Sequence, residues 1–483
     1  MAFWIDSLAA YLFGLKFILA GTAALIAISS LDDFVIDIIF YARRLYRRQT
    51  VYRRHRRQSA PGLGNDDQQW VAVLVPAWRE AAVIDQMLTR MCDGLAYRRY
   101  RVFVGLYAND PDTAAAAARA RAQLAARMLA PPPIVAVPLG RDGPTCKADC
   151  LNGIYHAALR YERALGIRFA IFALHDAEDV VHPLELRVFN HLIPRKDMVQ
   201  LPVAPLPRPW RQWVGGHYLD EFAESHAKDL VVRECLTGGV PSAGVGCAFS
   251  RRALRLAGQG RGGAPFNTAS VTEDYELALR LRGHGLRSAF VRMAGSGKNL
   301  QPVATREYFP SRFDAAVRQK SRWLLGIALQ GWQSLGWRGN IASRYMLLRD
   351  RKALLTAPLN IVAYGLAAQL LALWAAGRLW PGFPEFPALI AAGSATAWLL
   401  WANLFFLINR LAQRMICVWR VYGPGQALLS LPRAIVANIV NFAAVWRAVR
   451  LFRQAQRHRQ PVAWDKTAHE FPSDPISALP GAP

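Results

Sequence analysis

Two groups of acidic residues are the parts of this 483-residue sequence best suited to chemistry. Asp176, Glu178 and Asp179 are close enough in sequence to hold a divalent cation, which takes carboxylate and phosphate oxygens as ligands. Glu273 and Asp274 offer a carboxylate that could accept a proton from an attacking hydroxyl group. Together these residue types suit the displacement of a diphosphate from a nucleotide-linked sugar donor.

A Gln-x-x-Arg-Trp motif follows the acidic groups along the chain. Arg322 could make a charge-assisted contact with a departing diphosphate, and Trp323 offers a flat face to a sugar ring. Each group also has a structural explanation: a solvated acidic turn, acids that complement a helix dipole, or a basic interfacial helix with a headgroup-level Trp. Their occurrence together and in this order favours chemistry.

Short apolar runs alternate with helical patterns between residues 66 and 336, which is typical of an α/β sheet with helices on its faces. We predict strands at 70–76, 101–107, 134–138 and 169–174, and helices at 81–91, 113–129 and 147–164. The first acidic group therefore begins where a strand ends, at the edge where open α/β sheets bind ligands. The Pro-, Gly- and Trp-rich stretch 200–246 is predicted to be a long structured loop beside that site.

Three apolar stretches, at 8–31, 353–376 and 386–408, are each long enough to cross the hydrocarbon core, which takes about 20 helical residues. Eight arginines and a histidine lie between Arg43 and Arg57 with no acid among them. Such a basic flank marks the cytoplasmic side of an uncleaved anchor. We therefore expect a multi-pass inner-membrane protein with a cytoplasmic catalytic domain. The apolar 324–332 stretch is expected to rest on the bilayer.

The net charge of +25 has an explanation in this membrane setting, because basic juxtamembrane segments attract anionic lipid headgroups. No nucleic-acid partner is therefore expected. The six cysteines have no Cys-x-x-Cys pair and are expected to be reduced thiols. The histidines near the acidic groups, of which His175 is the first, have no dedicated metal spacing and are expected to be structural.

These observations divide the chain into segments. They are an N-terminal transmembrane helix at 1–33, a basic cytoplasmic segment at 34–65, the α/β domain at 66–336, a membrane domain with two transmembrane helices at 337–410, interfacial amphipathic helices or a further span at 411–455, and a cytoplasmic tail at 456–483.

From residue 71 to 323 the chain resembles the membrane-bound inverting glycosyltransferases of family 2. Several short sequences carry the resemblance. They are the Pro-Ala-aromatic-x-Glu turn at 76–80, Asn109-Asp110, the Lys-x-x-x-Leu-Asn element at 147–152, Asp-Ala-Glu at 176–178, Thr-Glu-Asp at 272–274 and Gln-x-x-Arg-Trp at 319–323. Glu178 stands where the family has a second aspartate, which leaves open whether Glu178 or Asp179 meets the metal.

The resemblance implies the GT-A fold, a Rossmann-like mixed sheet, and a role for many residues. The catalytic residues would be Asp274 as base, with Glu273 and Arg322. Donor and nucleotide would be bound by Pro76, Ala77, Glu80, Asp110, Lys147, Asp149, Asp176, Gln319 and Arg322. The metal, Mg²⁺ or Mn²⁺, would be held by Asp176, Glu178 and Asp179. The acceptor would be contacted by Trp323, Gly244 and Gly246, although a plain tight turn explains the two glycines equally well.

The implied activity is transfer of a sugar from a UDP-sugar to a growing polysaccharide, in exopolysaccharide synthesis or secretion. The implied partners are a UDP-sugar donor, a polysaccharide or lipid-linked acceptor, membrane lipids and an outer-membrane exopolysaccharide partner. Two alternatives stay open. One is single-sugar transfer to a lipid-linked acceptor, and the other is a non-catalytic membrane scaffold or receptor component.

Overall fold

A mixed sheet forms the centre of the computed structural model, which describes residues 2–64, 67–127, 131–295, 302–381, 383–384, 388–458 and 469–472. Its strand order is β3-β2-β1-β4-β7-β5-β8, and β6 pairs with β9 in a separate parallel ladder. The strands are β1 (Trp70–Pro76), β2 (Tyr100–Tyr107), β3 (Ile134–Leu139), β4 (Phe169–Leu174), β5 (Met198–Gln200), β6 (Val203–Pro205), β7 (Cys247–Ser250), β8 (Ser288–Phe290) and β9 (Thr305–Glu307).

Helices cover the sheet and continue into a membrane-type bundle. They are α1 (Ala2–Gln49), α2 (Val51–Arg54), α3 (Ile84–Gly94), α4 (Pro111–Arg127), α5 (Lys147–Leu165), α6 (Glu185–Leu192), α7 (Trp213–Glu224), α8 (Leu230–Thr237), α9 (Arg251–Ala257), α10 (Glu273–Gly283), α11 (Phe313–Leu324), α12 (Gly331–Leu335), α13 (Ile341–Arg351), α14 (Ala353–Leu379), α15 (Ala395–Tyr422) and α16 (Pro424–His458). A 3₁₀ turn spans Ala60–Gly62, and π-helical segments span Ser225–Asp229 and Leu325–Gln330.

Successive residues of β1 point to opposite faces of the sheet, and both faces are buried. Val71, Val73 and Val75 belong to one apolar cluster, which includes residues of α3, α4 and α6. Ala72 and Leu74 belong to the other, with residues of α5, α9 and α10. Near-continuous apolar strands are expected where helices cover both faces. The predicted mixed α/β fold is thereby confirmed.

The first half of the sheet follows the prediction closely. Strands β3, β2, β1 and β4 are parallel, and β1 and β4 have the predicted bounds. Strand β7 runs antiparallel to both of its neighbours, β4 and β5, which makes the sheet mixed. The carboxyl ends of β1 and β4 therefore lie side by side, and the acidic turn after β4 begins at this edge.

The prediction of a long loop at 200–246 was wrong. The proline-rich part ends at Pro209, and the chain then forms α7, the π-helical segment Ser225–Asp229 and α8. Buried residues recur within α7, among them Tyr218 and Leu219. The Trp and Gly residues at the start of α7 made the sequence look like a loop. The segment is a helix that buries its apolar face in the fold.

Among the residues that the structure describes, four helices are long and apolar enough to cross a membrane. They are Asp6–Arg54, Ala353–Leu379, Ala395–Tyr422 and Pro424–His458. The third was expected at 386–408, but α15 begins at Ala395, where the Ser394 side chain caps the first turn. The tail predicted at 456–483 lies largely outside the described residues.

The first helix is longer than the predicted 1–33 anchor, and the two adjacent acids Asp32 and Asp33 near the predicted end are paired. Lys352 donates to Asp32 Oδ2 and to Asp33 Oδ1, at 2.6 Å each. Arg410 contacts Asp33 at 2.8 Å. With these charges offset and no Gly or Pro between 22 and 49, α1 continues through the predicted basic segment.

The last helix differs from the preferred prediction of interfacial helices at 411–455. Helix α16 is continuous for 35 residues and packs against α7, α11, α14 and α15. Arg433 binds Asp220 through two contacts of 3.0 and 2.7 Å, and Lys320 Nζ donates to Asn441 Oδ1 at 2.8 Å. By length and composition α16 fits the alternative of a further span, and it is fastened to the α/β domain.

Candidate active site

A cavity of about 800 Å³ lies at the carboxyl ends of β1 and β4. Its wall includes parts of the chain that are distant in sequence, among them the sheet edge, the start of α10 and the helix α11. Many of the predicted site residues line it, namely Pro76, Glu80, Lys147, Asp176, Glu178, Glu273, Asp274, Gln319, Arg322 and Trp323. The structure thus brings the three sequence motifs together around one space.

Lys147 is the cation at the centre of the acidic residues. Its Nζ lies 2.6 Å from Asp176 Oδ1. Burial alone would lower the pKa of Lys147, but the carboxylates of Asp176, Glu273 and Asp274 outweigh it and hold the pKa above its ordinary value. Lys147 therefore stays charged and links the acidic turn after β4 to the acids of α10.

Glu273 and Asp274 begin α10 and face the cavity. Burial, and next the neighbouring Asp274, raise the pKa of Glu273 to about 8. Burial also raises the pKa of Asp274, against the lowering effect of Lys147. A carboxylate with a raised pKa is a stronger base once ionised, which suits proton transfer near neutral pH. The first turn of a helix also stabilises the ionised form.

Gly244 lies directly beside Asp274. Its φ is +77°, and a Cβ atom at this position would stand 2.5 Å from Asp274 Oδ2. The surrounding loop is fixed by Gln200, whose Oε1 accepts from Ala243 N at 2.8 Å and whose Nε2 donates to Val245 O at 2.9 Å. Only glycine combines this backbone angle with such a close approach.

Gly246 occupies a different environment from Gly244. Its φ is +54°, and a Cβ would collide with the Thr305 hydroxyl group. Within the part of the chain that the structure describes, neither Gly244 nor Gly246 is among the residues that line the cavity. The prediction that both glycines contact the acceptor stays a prediction, and the packing of each explains why glycine is present.

The turn after β4 points its acids in different directions. Asp176 and Glu178 line the cavity, whereas Asp179 turns towards the core. Asp179 Oδ2 lies 2.7 Å from His175 Nδ1 and accepts from Asp176 N at 3.1 Å. The other ring nitrogen of His175 lies 2.6 Å from Glu185 Oε1. Asp179 therefore holds the turn in place and is not among the described residues that line the cavity.

His175 is a buried cation between two carboxylates. Burial alone would lower its pKa, but Glu185 and Asp179 outweigh it and raise the pKa to about 10. The imidazole is thus charged at neutral pH. This agrees with the expectation of a structural histidine. The conformation of the acidic turn at 176–179 therefore depends on His175.

Replacement of His175 by Leu should destabilise the fold. It leaves the carboxylates of Asp179 and Glu185 buried without their cation, which costs about 3–5 kcal/mol. We expect a clearly lower midpoint of thermal unfolding for the detergent-purified protein, followed by intrinsic fluorescence. His284→Leu, at an exposed histidine, is the matched control. Equal midpoints for the two variants would contradict the structural role.

The predicted donor-binding residues after β1 and β2 form a connected turn. Arg79 has a φ of +54°, and its backbone N–H donates to Asp110 Oδ2 at 2.5 Å. The N–H of Glu80 donates to Thr113 Oγ1 at 2.9 Å. Asp110 thus shapes the loop that presents Glu80 to the cavity. Its predicted contact with the nucleotide base remains a prediction.

Two further donor-side predictions lie away from the cavity lining. Ala77 is buried, and its N–H donates to Gly105 O at 3.3 Å. Asp149 lies 3.8 Å from Arg141, which is itself mostly exposed. Asp149 has a partly exposed carboxylate, whereas the Ala77 side chain is buried.

Helix α11 presents its motif to the cavity from the side opposite the sheet. Gln319 is buried, and among the described residues its Oε1 has no hydrogen-bond partner. This oxygen can accept from a hydroxyl group of a bound sugar or ribose. Arg322 lines the same wall. Trp323 also packs in an aromatic cluster, with ring centroids 6.1 Å from Tyr218 and 6.2 Å from Phe309.

The segment after the motif is packed on the α/β domain. Leu325, Gly326 and Ala328 are buried, and a Cβ on Gly326 would collide with Thr272. The N–H of Val271 donates to Gln330 Oε1 at 3.0 Å. The expectation that this apolar stretch rests on the bilayer was therefore wrong for these buried residues. The segment instead supports the loop that precedes Asp274.

Sequence reasoning missed three parts of the cavity wall: Glu307 on β9, Arg447 and Leu451 on α16, and His469 in the tail. None of them lies in a recognisable motif. The one signal for Arg447 in the sequence is that it interrupts an apolar C-terminal segment. Their place in the cavity wall depends on packing between segments that are far apart in the sequence.

Acidic side chains cluster at the end of the cavity beside the turn after β4. Removal from water, and then Asp179 and Glu178, raise the pKa of Glu307 well above its ordinary value. Asp176 and Glu178 add oxygens of the kind that Mg²⁺ and Mn²⁺ prefer. The residues present therefore fit a divalent cation.

Comparison with known proteins gives a family match over part of this chain. Residues 171–377 match the family described as "Glycosyl transferase family group 2". The chain is 42% identical over 489 residues to "Bacteriophage adsorption protein B" of Escherichia coli K12, and equally to "Bacteriophage N4 adsorption protein B" of Escherichia coli O157:H7. The alignments cover 98% of this chain and 64% of each relative.

Solved structures give more distant likenesses. "Mannosyltransferase PcManGT from Pyrobaculum calidifontis in complex with GDP-Man and Mn2+" is 17% identical, with a TM-score of 0.46, and covers 87% of this chain and 99% of its own. Staphylococcus aureus TarS, residues 1–349, is 11% identical with a TM-score of 0.35, and covers 84% and 97%. Neither likeness bears on ligand or activity. On the sequence matches, the chain is a homologue of bacteriophage adsorption protein B and carries a domain of glycosyl transferase family 2.

Proposed function

We propose that this chain is an inner-membrane, inverting glycosyltransferase that moves a sugar from a UDP-sugar to a growing polysaccharide. The observation that carries the proposal is the convergence of Asp274, Lys147, Asp176, Glu178 and Arg322 on one cavity. That set contains a base for the acceptor, carboxylates for a divalent cation and a cation for the leaving group. The α/β domain would lie in the cytoplasm, beside the basic end of α1.

In the proposed reaction Asp274 accepts the proton of the acceptor hydroxyl as its oxygen attacks the anomeric carbon. The bond from that carbon to the diphosphate oxygen breaks on the opposite face, which inverts the centre in one displacement. Lys147 holds Asp176 and keeps Asp274 ionisable, and Arg322 donates to the departing diphosphate. When bound, Mg²⁺ or Mn²⁺ would offset the charge of that diphosphate.

The carboxylates proposed to hold the cation are Asp176 and Glu178. Asp179 is the less suitable candidate because it is engaged with His175 behind the turn. Gln319 and Glu80 would bind the donor from opposite walls. Trp323 and Gly244 would border the acceptor, with Gly244 also keeping Asp274 in position.

The name of the relatives links them to phage adsorption. A polysaccharide that reaches the cell surface fits that link, and it would pass to an outer-membrane partner. A second candidate is single transfer to a lipid-linked acceptor, which the apolar wall formed by Trp323, Leu325, Ile327 and Leu451 favours. Product length on a sizing gel separates them: a ladder indicates synthesis of a polymer, and one added sugar indicates single transfer.

A donor screen tests the proposal as a whole. Membranes containing the full chain are incubated with several UDP-sugars and Mn²⁺ or Mg²⁺, and released UDP is measured. We expect release with one donor and its loss on addition of EDTA. The complete absence of release with every donor would favour a non-catalytic scaffold.

A further inference from the structure

We propose that His469, in the C-terminal tail, is a metal ligand that acts with Glu80 and Glu178 and gives the site a preference for Mn²⁺ over Mg²⁺. The inference rests on the proposed function, because the cation is the one that serves the donor. It adds to that function a ligand from the far end of the chain, about 290 residues beyond Glu178.

The three side chains converge on one point. His469 Nδ1 lies 3.1 Å from Glu80 Oε1 and 3.2 Å from Glu178 Oε2. One ligand atom from each residue lies within 4.8 Å of the other two. Ligands about 2.1 Å from a metal at right angles to each other are separated by about 3 Å. The observed separations match such neighbouring ligands.

Both carboxylates are supplied by rigid parts of the fold. Glu80 follows the turn at Arg79, and its own N–H is bound by Thr113. Glu178 lies in the turn that Asp179 and His175 hold from behind. Ligands whose positions are fixed in this way lose little freedom when a metal binds.

Two residues after His469, Glu470 and Phe471, anchor the tail to the rest of the protein. Glu470 forms an ion pair of 2.9 Å with Arg208, whose Nε donates to Phe309 O at 3.0 Å. Phe471 packs against the apolar cluster below β1. These contacts hold the backbone directly after His469, whose side chain lines the cavity.

An imidazole nitrogen changes which metal the site selects. Mg²⁺ prefers oxygen ligands and keeps several waters, whereas a site with nitrogen favours the later divalent metals. The carboxylates alone would accept either ion. His469 therefore supplies the element of the site that distinguishes Mn²⁺ from Mg²⁺.

The test uses the purified full chain without any sugar nucleotide. Mn²⁺ affinity is measured from the electron paramagnetic resonance signal of free Mn²⁺, and Mg²⁺ affinity by competition. We expect His469→Ala to weaken Mn²⁺ binding by about 10- to 100-fold, the range seen when metal-site residues are removed, and to change Mg²⁺ binding by much less. His458→Ala, at an exposed histidine of α16, should leave both affinities unchanged.

Electron spin echo measurements on the wild-type protein give a readout that needs no variant. A nitrogen coupled to bound Mn²⁺, lost in His469→Gln, supports the proposal. An absence of nitrogen coupling in the wild type, or equal Mn²⁺ affinity in His469→Ala, overturns it and leaves an ion pair with Glu80 and Glu178. Because no donor is present, a failure to release UDP would count against the proposed function and not against this ligand.

Discussion

Asp274→Asn should abolish sugar transfer while leaving the protein folded. The amide has nearly the shape of the carboxylate but cannot accept the proton of the acceptor hydroxyl. Loss of a general base typically lowers the rate by about 10²- to 10⁴-fold. Burial raises the pKa of Asp274 above its ordinary value, so this carboxylate is a stronger base once ionised and its loss should be felt in the rate.

The measurement is transfer of labelled sugar in membranes, with protein level and thermal unfolding recorded in parallel. Asp314→Asn is a matched control, because Asp314 is exposed on α11 and pairs with Arg312 and Arg318. We expect it to keep wild-type activity. A folded Asp274→Asn protein with undiminished transfer would remove Asp274 from the role of base.

Gly244→Ala should lower the rate by about 10²-fold with only a small loss of stability. The added methyl group would stand 2.5 Å from Asp274 Oδ2, so the carboxylate must rotate away from its present place. A displacement of about 1 Å at a reacting group is enough for a change of this size. The backbone angle adds about 1–2 kcal/mol of strain, because φ at Gly244 is +77°.

Gly260→Ala separates these two effects. Its φ is +71°, so the strain on the backbone is similar, but a Cβ there meets nothing within 4 Å. We expect both variants to lose a similar amount of stability and only Gly244→Ala to lose activity. Equal transfer rates in the two variants would show that the position of Asp274 does not depend on Gly244.

The parallel half of the sheet was predictable because each strand there is a continuous apolar run. Trp70–Pro76 and Phe169–Leu174 have the bounds expected from the sequence. The site motifs were also predictable as a group, since strand ends and helix starts fix where Asp176 and Asp274 lie. A local pattern is sufficient where the residues that shape it are neighbours in sequence.

Other features depend on contacts that no local pattern contains. The direction of Asp179 is set by His175 and Glu185. The sequence alone therefore could not show which of the three nearby carboxylates face the cavity. Helix α7 was hidden because its start is rich in Trp and Gly. The place of His469 depends on Arg208, 261 residues earlier in the chain.

Arg447 and Leu451 place part of the cavity wall on helix α16. Helix α16 is long and apolar enough to cross a bilayer, yet its last turns border the space where transfer is proposed to occur. Tilt of such a helix varies with the thickness of the hydrocarbon layer. If the proposed function holds, we expect the rate of sugar transfer to change with the acyl-chain length of the surrounding lipid.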